Sequence, residues 1–213
     1  MHKEQEAGRV MAARAGAETG AIQVLSVAVT GRTEACVSLF EKSPDGEWVK
    51  IFSAEGRIGR DGLGKTREGD WKTPAGVFRF TCAFGTREDP GSLIPYQRVA
   101  PEDYWSGDQR EGHAYNRMVS IRDIPDLDTG SSEHLIDYDP FYRYCLALSY
   151  NEEGIPGRGS AIFLHCLGKE KGFTAGCVAV PEACMVKILR SVNPDCAVVI
   201  GPKEDAETET GEG

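Results

Sequence analysis

No apolar run in this sequence approaches the 18 or more residues that a membrane span needs, which excludes a transmembrane helix. The opening MHKEQEAGRVMAARAGAETG also lacks the apolar centre of a secretory signal. Positive charge is in deficit: 24 Lys and Arg stand against 33 Asp and Glu, a net charge of -9. That balance excludes an electrostatic grip on nucleic acid or on an anionic bilayer. The seven cysteines fall singly at 36, 82, 145, 166, 177, 184 and 196, and without a CxxC pair a zinc ribbon is excluded. The segment Gly62-Leu63-Gly64-Lys65-Thr66 lacks the earlier glycine of a phosphate loop, so no nucleotide site is expected there.

What remains is a chain of 213 residues, 40% apolar, long enough for one well-buried domain and short for two. Residues 1–21, rich in Ala, Gly and Glu, read as a disordered or linker segment, and residues 202–213 as a disordered acidic tail. Between them, residues 22–201 carry short β-like runs: IQVLSVAVT, EACVSLFEK and EWVKIFSAE, the last two split by the hairpin signal Ser43-Pro44-Asp45-Gly46. A polar, aromatic-dotted stretch over 84–117 follows a strand at Val77 to Ala83. Strand signals resume at MVSIRDI, HLIDY, YCLALSYN, AIFLHCL, GCVAV and CAVVIG. One helix is expected at about Pro181 to Val192, with Pro181 near its start and Met185, Ile188, Leu189 and Val192 at helical spacing. The fold is therefore mainly β. Cys36, Cys82, Cys145 and Cys196 sit in strand-like runs and read as small buried hydrophobes.

The informative segment is IFLHCLGKEKGFTAGCVAVP at Ile162 to Pro181. A strand delivers His165, a Gly/Lys loop reverses the chain, and Thr174-Ala175-Gly176-Cys177 opens the next strand. If the two strands pair, an imidazole can take the proton of a thiol, which is what a cysteine nucleophile requires. Such a thiol is expected to hold more thiolate than cysteines in apolar strands. Gly176, without a side chain, lets a carbonyl approach and lets the N–H groups of Gly176 and Cys177 face a developing oxyanion. By spacing alone, a buried Cys and a hydrogen-bonded His are the better account of the pair.

The same residues resemble the signature of the L,D-transpeptidase catalytic domain (the YkuD-like family): a His followed later by Ser/Thr-x-Gly-Cys, here His165, Thr174, Gly176 and Cys177. EGDWKTPAGVF at Glu68 to Phe78 is similar to a second block of that family. YWSGDQREGHAYNRMV at Tyr104 to Val119 is similar to its secreted Gram-positive-type branch, as is Ala175 where many members carry His. The resemblance implies a sandwich-like fold with one main helix after the cysteine strand. It implies Cys177 as nucleophile, His165 as base oriented by a main-chain carbonyl such as that of Cys166, and Gly176 and Cys177 as oxyanion donors. Thr174 takes the Ser/Thr position, where a turn residue bonding its own backbone is the bland alternative. Trp105, Asp108, Tyr115, Asn116 and Arg117 become candidates for the substrate groove, with loop packing as the alternative. The Lys169 and Lys171 pair flanks the site, and His134 is the runner-up base.

The implied reaction is acyl transfer on a peptidoglycan stem peptide through a thioester, resolved by an amine or by water, with no metal and no organic cofactor. It implies an extracytoplasmic, wall-associated or secreted location, with the export segment outside this chain. An L,D-carboxypeptidase or other peptidase using water, and a non-catalytic wall-binding module of the same fold, are the rival readings. The acceptor, the diamino acid and the oligomeric state are left open.

Overall fold

The computed structural model describes residues 2–168 and 172–203. Lys169, Lys171 and residues 204–213 lie outside them. The first helix, α1 (His2–Thr19), precedes three long strands, β1 (Gln23–Val29), β2 (Glu34–Lys42) and β3 (Trp48–Arg57). The β2–β3 connection is the expected hairpin: Ser43 N–H donates to Glu47 O, Gly46 N–H donates back to Ser43 O, and Gly46 adopts φ 90°. Then come β4 (Gly76–Gly85), β5 (Tyr96–Arg98), β6 (Asp103–Trp105), β7 (Met118–Ser120) and β8 (Glu133–His134). The chain closes with β9 (Cys145–Leu148), β10 (Phe163–Cys166), β11 (Val178–Val180), α2 (Glu182–Ser191) and β12 (Ala197–Pro202). Among the described residues no helix is long and apolar enough to cross a membrane.

The main sheet runs β12-β1-β2-β3-β11-β10-β9-β4-β5, and β12 also pairs with β4. That second pairing curls the expected sandwich into a barrel-like closure, which removes two open edges. Its interior holds Leu25, Val37, Leu39, Leu146, Leu164 and Val178, capped by Met185, Ile188 and Leu189 of α2, all essentially sealed from solvent. Pro181, the expected start, is the N-cap residue, and α2 begins one residue later at Glu182. A second apolar cluster of Phe84, Trp105, Tyr142, Cys145 and Phe163 fills the space beneath the small sheet β7-β6-β8. The stretch 84–117 thus contains two strands rather than being wholly irregular. HLIDY is strand only at His134, the end of β8: Leu135–Tyr138 form a 3-10 turn, with Leu135 and Ile136 both packed into that second cluster, whereas a strand would send them to opposite faces.

Residues 1–21 also need correcting, since His2–Thr19 are helix. Ala7, Met11, Ala12 and Ala15 form a buried stripe, of which Ala12 and Ala15 pack with Val24, Phe40 and Ala197. The stripe is mostly alanine, too weakly apolar to stand out in the sequence. It lets the helix lie close to the sheet: a Cβ on Gly16 would come within 2.3 Å of the Trp48 ring. At the other end β12 runs through Pro202, and Lys203 N–H donates to Val29 O, so the expected tail boundary at 202 falls inside the sheet. All seven cysteines are free.

The helix docking yields a test. Ala12→Glu buries a carboxylate against the sheet and should cost about 3 kcal/mol, whereas Ala13→Glu on the exposed face should cost under about 0.5 kcal/mol. Thermal melts of the two variants separate a docked helix, which makes them unequal, from a loose tail, which makes them equal.

Candidate active site

β10 and β11 pair in parallel, Leu164 opposite Val178 and His165 opposite Ala179. The connection between them crosses over rather than reversing direction as a hairpin would. The register sets Cys177 just ahead of β11, on the face that also carries Ala179 and His165. Both side chains open into a cavity of about 590 Å3, whose wall includes Trp71, Trp105, Glu133, Tyr142 and Phe173.

His165 is buried, with Phe141 and Tyr142 edge-on at 6.3 and 5.6 Å. Its Nδ1 lies 2.9 Å from Cys166 O, the carbonyl expected from sequence. A carbonyl only accepts, so this contact assigns the proton to Nδ1 and leaves Nε2 as the acceptor. Burial disfavours the imidazolium and lowers the ring's pKa to about 4, against the opposing pull of Cys166 O. The imidazole is therefore neutral at neutral pH.

Cys177 is equally covered. Its Sγ donates to Ala161 O at 3.1 Å and receives Phe163 N–H at 3.3 Å; among the described residues no hydrogen bond joins it to His165. Burial pushes the thiol up to about 12, the Phe163 N–H and the Lys65 ammonium pull it down, and Glu133 pushes it further up. The expectation of an enriched resting thiolate is thus corrected: the pair rests as neutral thiol and neutral imidazole, because desolvation outweighs the local donors.

The glycine and threonine before the cysteine divide their work differently from the expectation. Gly176 N–H donates to Thr174 Oγ1 at 3.1 Å, and that hydroxyl donates to Cys177 O at 2.6 Å. Thr174 therefore fixes the turn, the bland alternative, and uses up one of the two expected oxyanion donors. Gly176 is required by space: at φ 152° its Cβ would stand 2.8 Å from Lys72 O.

Of the groove candidates, Trp105 lines the cavity. Asn116 positions others: Oδ1 accepts Trp105 Nε1–H at 2.9 Å and Ala161 N–H at 3.0 Å, while Nδ2 donates to Tyr150 O and Asn151 O. Tyr115 OH donates to Glu68 at 2.5 Å. Asp108 is buried away from the cavity, where Arg110 and the Asp128 N–H hold its carboxyl far below the usual range. Arg117 is exposed and off the cavity wall. His134 is excluded as base: it bonds Asp137 and Pro101 O and stacks on Tyr104 at 4.5 Å, while strand alternation turns its neighbour Glu133 inward.

Three acidic or basic cavity residues were not singled out from sequence. Lys65 is almost sealed and donates to Asp70 at 3.0 Å and to Arg67 O at 3.2 Å. Its Nζ lies 3.7 Å from where a Gly176 Cβ would stand. Glu68 accepts from Tyr115 and Ser160. Glu133 accepts Tyr142 OH at 2.7 Å. Lys65 and Glu68 sit in the Gly-rich loop whose charge density was the available signal; Glu133 carries none. Among the described residues no group of three or more His, Cys, Asp or Glu is arranged to hold a metal.

Two tests follow from these electrostatics. At neutral pH, iodoacetamide should label the half-buried Cys36 and Cys184 ahead of Cys177, as peptide mapping would read; Cys177 labelling first would mean a resting thiolate. Burial alone would raise the Asp70 carboxyl, but N–H donors from Thr66, Lys72 and Arg67 and the Lys65 ammonium win and hold it at about 2, against 3.8 when free. A carboxyl depressed by folding adds stability above its unfolded value, lost as pH falls through the folded one. Asp70 should therefore contribute about 2 kcal/mol that vanishes between pH about 4 and 2, and Asp70→Asn should lose it at neutral pH, as denaturant titration at several pH values would show.

The family model of the YkuD L,D-transpeptidase catalytic domain matches residues 28–200. No curated protein matches the chain. Two solved structures of the helical cell shape determining protein Pgp2 from Campylobacter jejuni, a single-residue mutant and the unmutated protein, are 18% and 17% identical with TM-scores of 0.43 and 0.44. Each similarity covers 85% of this chain but 48% and 49% of theirs, so the chain spans about half their length. With a His–Cys pair on adjoining strands of one β domain and a family match across most of its length, the chain belongs to the YkuD family of L,D-transpeptidase catalytic domains.

Proposed function

We propose that the chain is a cysteine acyltransferase acting on peptidoglycan stem peptides, outside the cytoplasm, with Cys177 as nucleophile and His165 as base. The observation that carries the reading is the placement of a tautomer-fixed imidazole and a thiol on adjoining strands of one cavity. Because both rest neutral, the proton leaves Sγ for Nε2 as sulfur bonds to the amide carbon of the stem peptide. The Cys177 N–H, which has no partner among the described residues, faces the developing oxyanion, and the buried Lys65 ammonium beside Gly176 supplies the second positive group. The C–N bond then breaks, and the leaving D-amino acid takes the proton back from His165. An amine or water attacks the thioester carbon, the C–S bond breaks, and the thiol is restored.

Incubation with purified disaccharide-tetrapeptide, read by mass spectrometry, tests the reading. A cross-linked dimer means transfer to an amine, a tripeptide means transfer to water, and no product with a folded protein leaves the non-catalytic wall-binding module. Cys177→Ala should abolish the covalent adduct with a carbapenem, while Cys166→Ala and Cys184→Ala retain it. An adduct surviving on the Cys177→Ala protein would sink the assignment.

A further inference from the structure

A carboxylate has about four lone-pair sites, and a carboxylate inside a protein is normally paired with a cation or saturated with donors. Glu133 is neither. It lines the cavity half-buried, and among the described residues its carboxylate accepts one hydrogen bond, from Tyr142 OH. Burial pushes its pKa up to about 7, against the pull of that hydroxyl, and Glu68 on the same cavity pushes it further. Among the described residues the one lysine lining the cavity, Lys65, is already held by Asp70 and Arg67 O. Glu68 and Glu133 therefore line one cavity and repel each other, and among the described residues neither forms an ion pair with a cation.

We propose that Glu133, assisted by Glu68, forms a subsite for a primary alkylammonium group of the substrate, across the Tyr142 ring from His165. This rests on the stem-peptide reading for the identity of the ligand, though not for its chemistry. Two sources supply such a group: the side-chain amine of the diamino acid in the acyl donor, and the amine of the acceptor that resolves the thioester. An ammonium placed here offsets both the burial and the neighbouring charge that disfavour the Glu133 carboxylate, since it substitutes for lost water and separates the two carboxylates. The rival role is structural, with Glu133 holding Tyr142, which packs on Phe163 at 5.5 Å and on His165 at 5.6 Å.

The test uses the whole chain and two probes, Nα-acetyl-lysine amide and its Nε-acetylated twin, which differ by the ammonium alone. Calorimetric titration of the native protein should show binding of the first and at least about thirtyfold weaker binding of the second. Glu133→Gln should erase that preference, and Glu133→Asp, which keeps the charge on a shorter stem, should retain part of it. Equal binding of the twins by the native protein, binding of neither, or a preference that survives in a folded Glu133→Gln protein would each overturn the subsite; the native comparison stands even if a variant does not fold. With tetrapeptide donors, a Glu133→Gln defect in acylation that disappears when the donor amine is acetylated places the donor there. A defect in the partition of the thioester between amine and water places the acceptor there. If the native protein binds the ammonium probe but never acylates Cys177, the acyltransfer reading fails while the subsite stands.

Discussion

The parallel pairing of β10 with β11 is the constraint on which the site depends. A parallel ladder needs a crossover between its strands, and here that crossover carries Thr174, Ala175 and Gly176 along the cavity wall before Cys177 arrives beside the start of β10. The same register lets Phe163 N–H reach Sγ, so the strand that presents the imidazole also supplies a donor to the sulfur. A slip of one residue between the two strands would turn either His165 or Cys177 to the other face of the sheet, into an apolar interior.

Asn116 extends this constraint into the loops. Its amide uses both acceptor positions and both donors, on Trp105, Ala161, Tyr150 and Asn151, and so joins the small sheet to the segment entering β10. Ala161, held at a positive φ of 54°, then presents the carbonyl that accepts the thiol proton. One side chain thus fixes a cavity wall and the resting partner of the sulfur. It positions other groups rather than forming a wall of the groove itself.

Electrostatically the site is divided. On the Gly176 side lies a sealed ion pair of Lys65 and Asp70, with the ammonium biased toward the turn before the cysteine. On the Tyr142 side lies Glu133, whose charge burial disfavours. Between them the thiol and imidazole rest neutral, since the low-dielectric surroundings penalise an ion pair more than their few donors stabilise it. Separation of charge is then deferred to the moment of attack, when a substrate has displaced water and brought its own polar groups.

The sequence alone determined what depends on local chemistry and spacing. The β2–β3 hairpin follows from Ser43-Pro44-Asp45-Gly46, α2 from Met185, Ile188 and Leu189 at helical spacing, and the His165 and Cys177 pair from its Thr174-Ala175-Gly176-Cys177 motif. Tertiary structure decided the rest, because it depends on which distant segments meet. The barrel-like closure comes from β12 reaching β4 across more than a hundred residues, and α1 is held by an alanine stripe that gains its worth only against the sheet. Asp108 and Arg117, equal to Trp105 as groove candidates in sequence, are turned away by an ion pair and by solvent exposure. The protonation of the central pair and the inward turn of Glu133 were not legible either, since burial sets a pKa and pleating sets a face, and both arise only once the chain has folded.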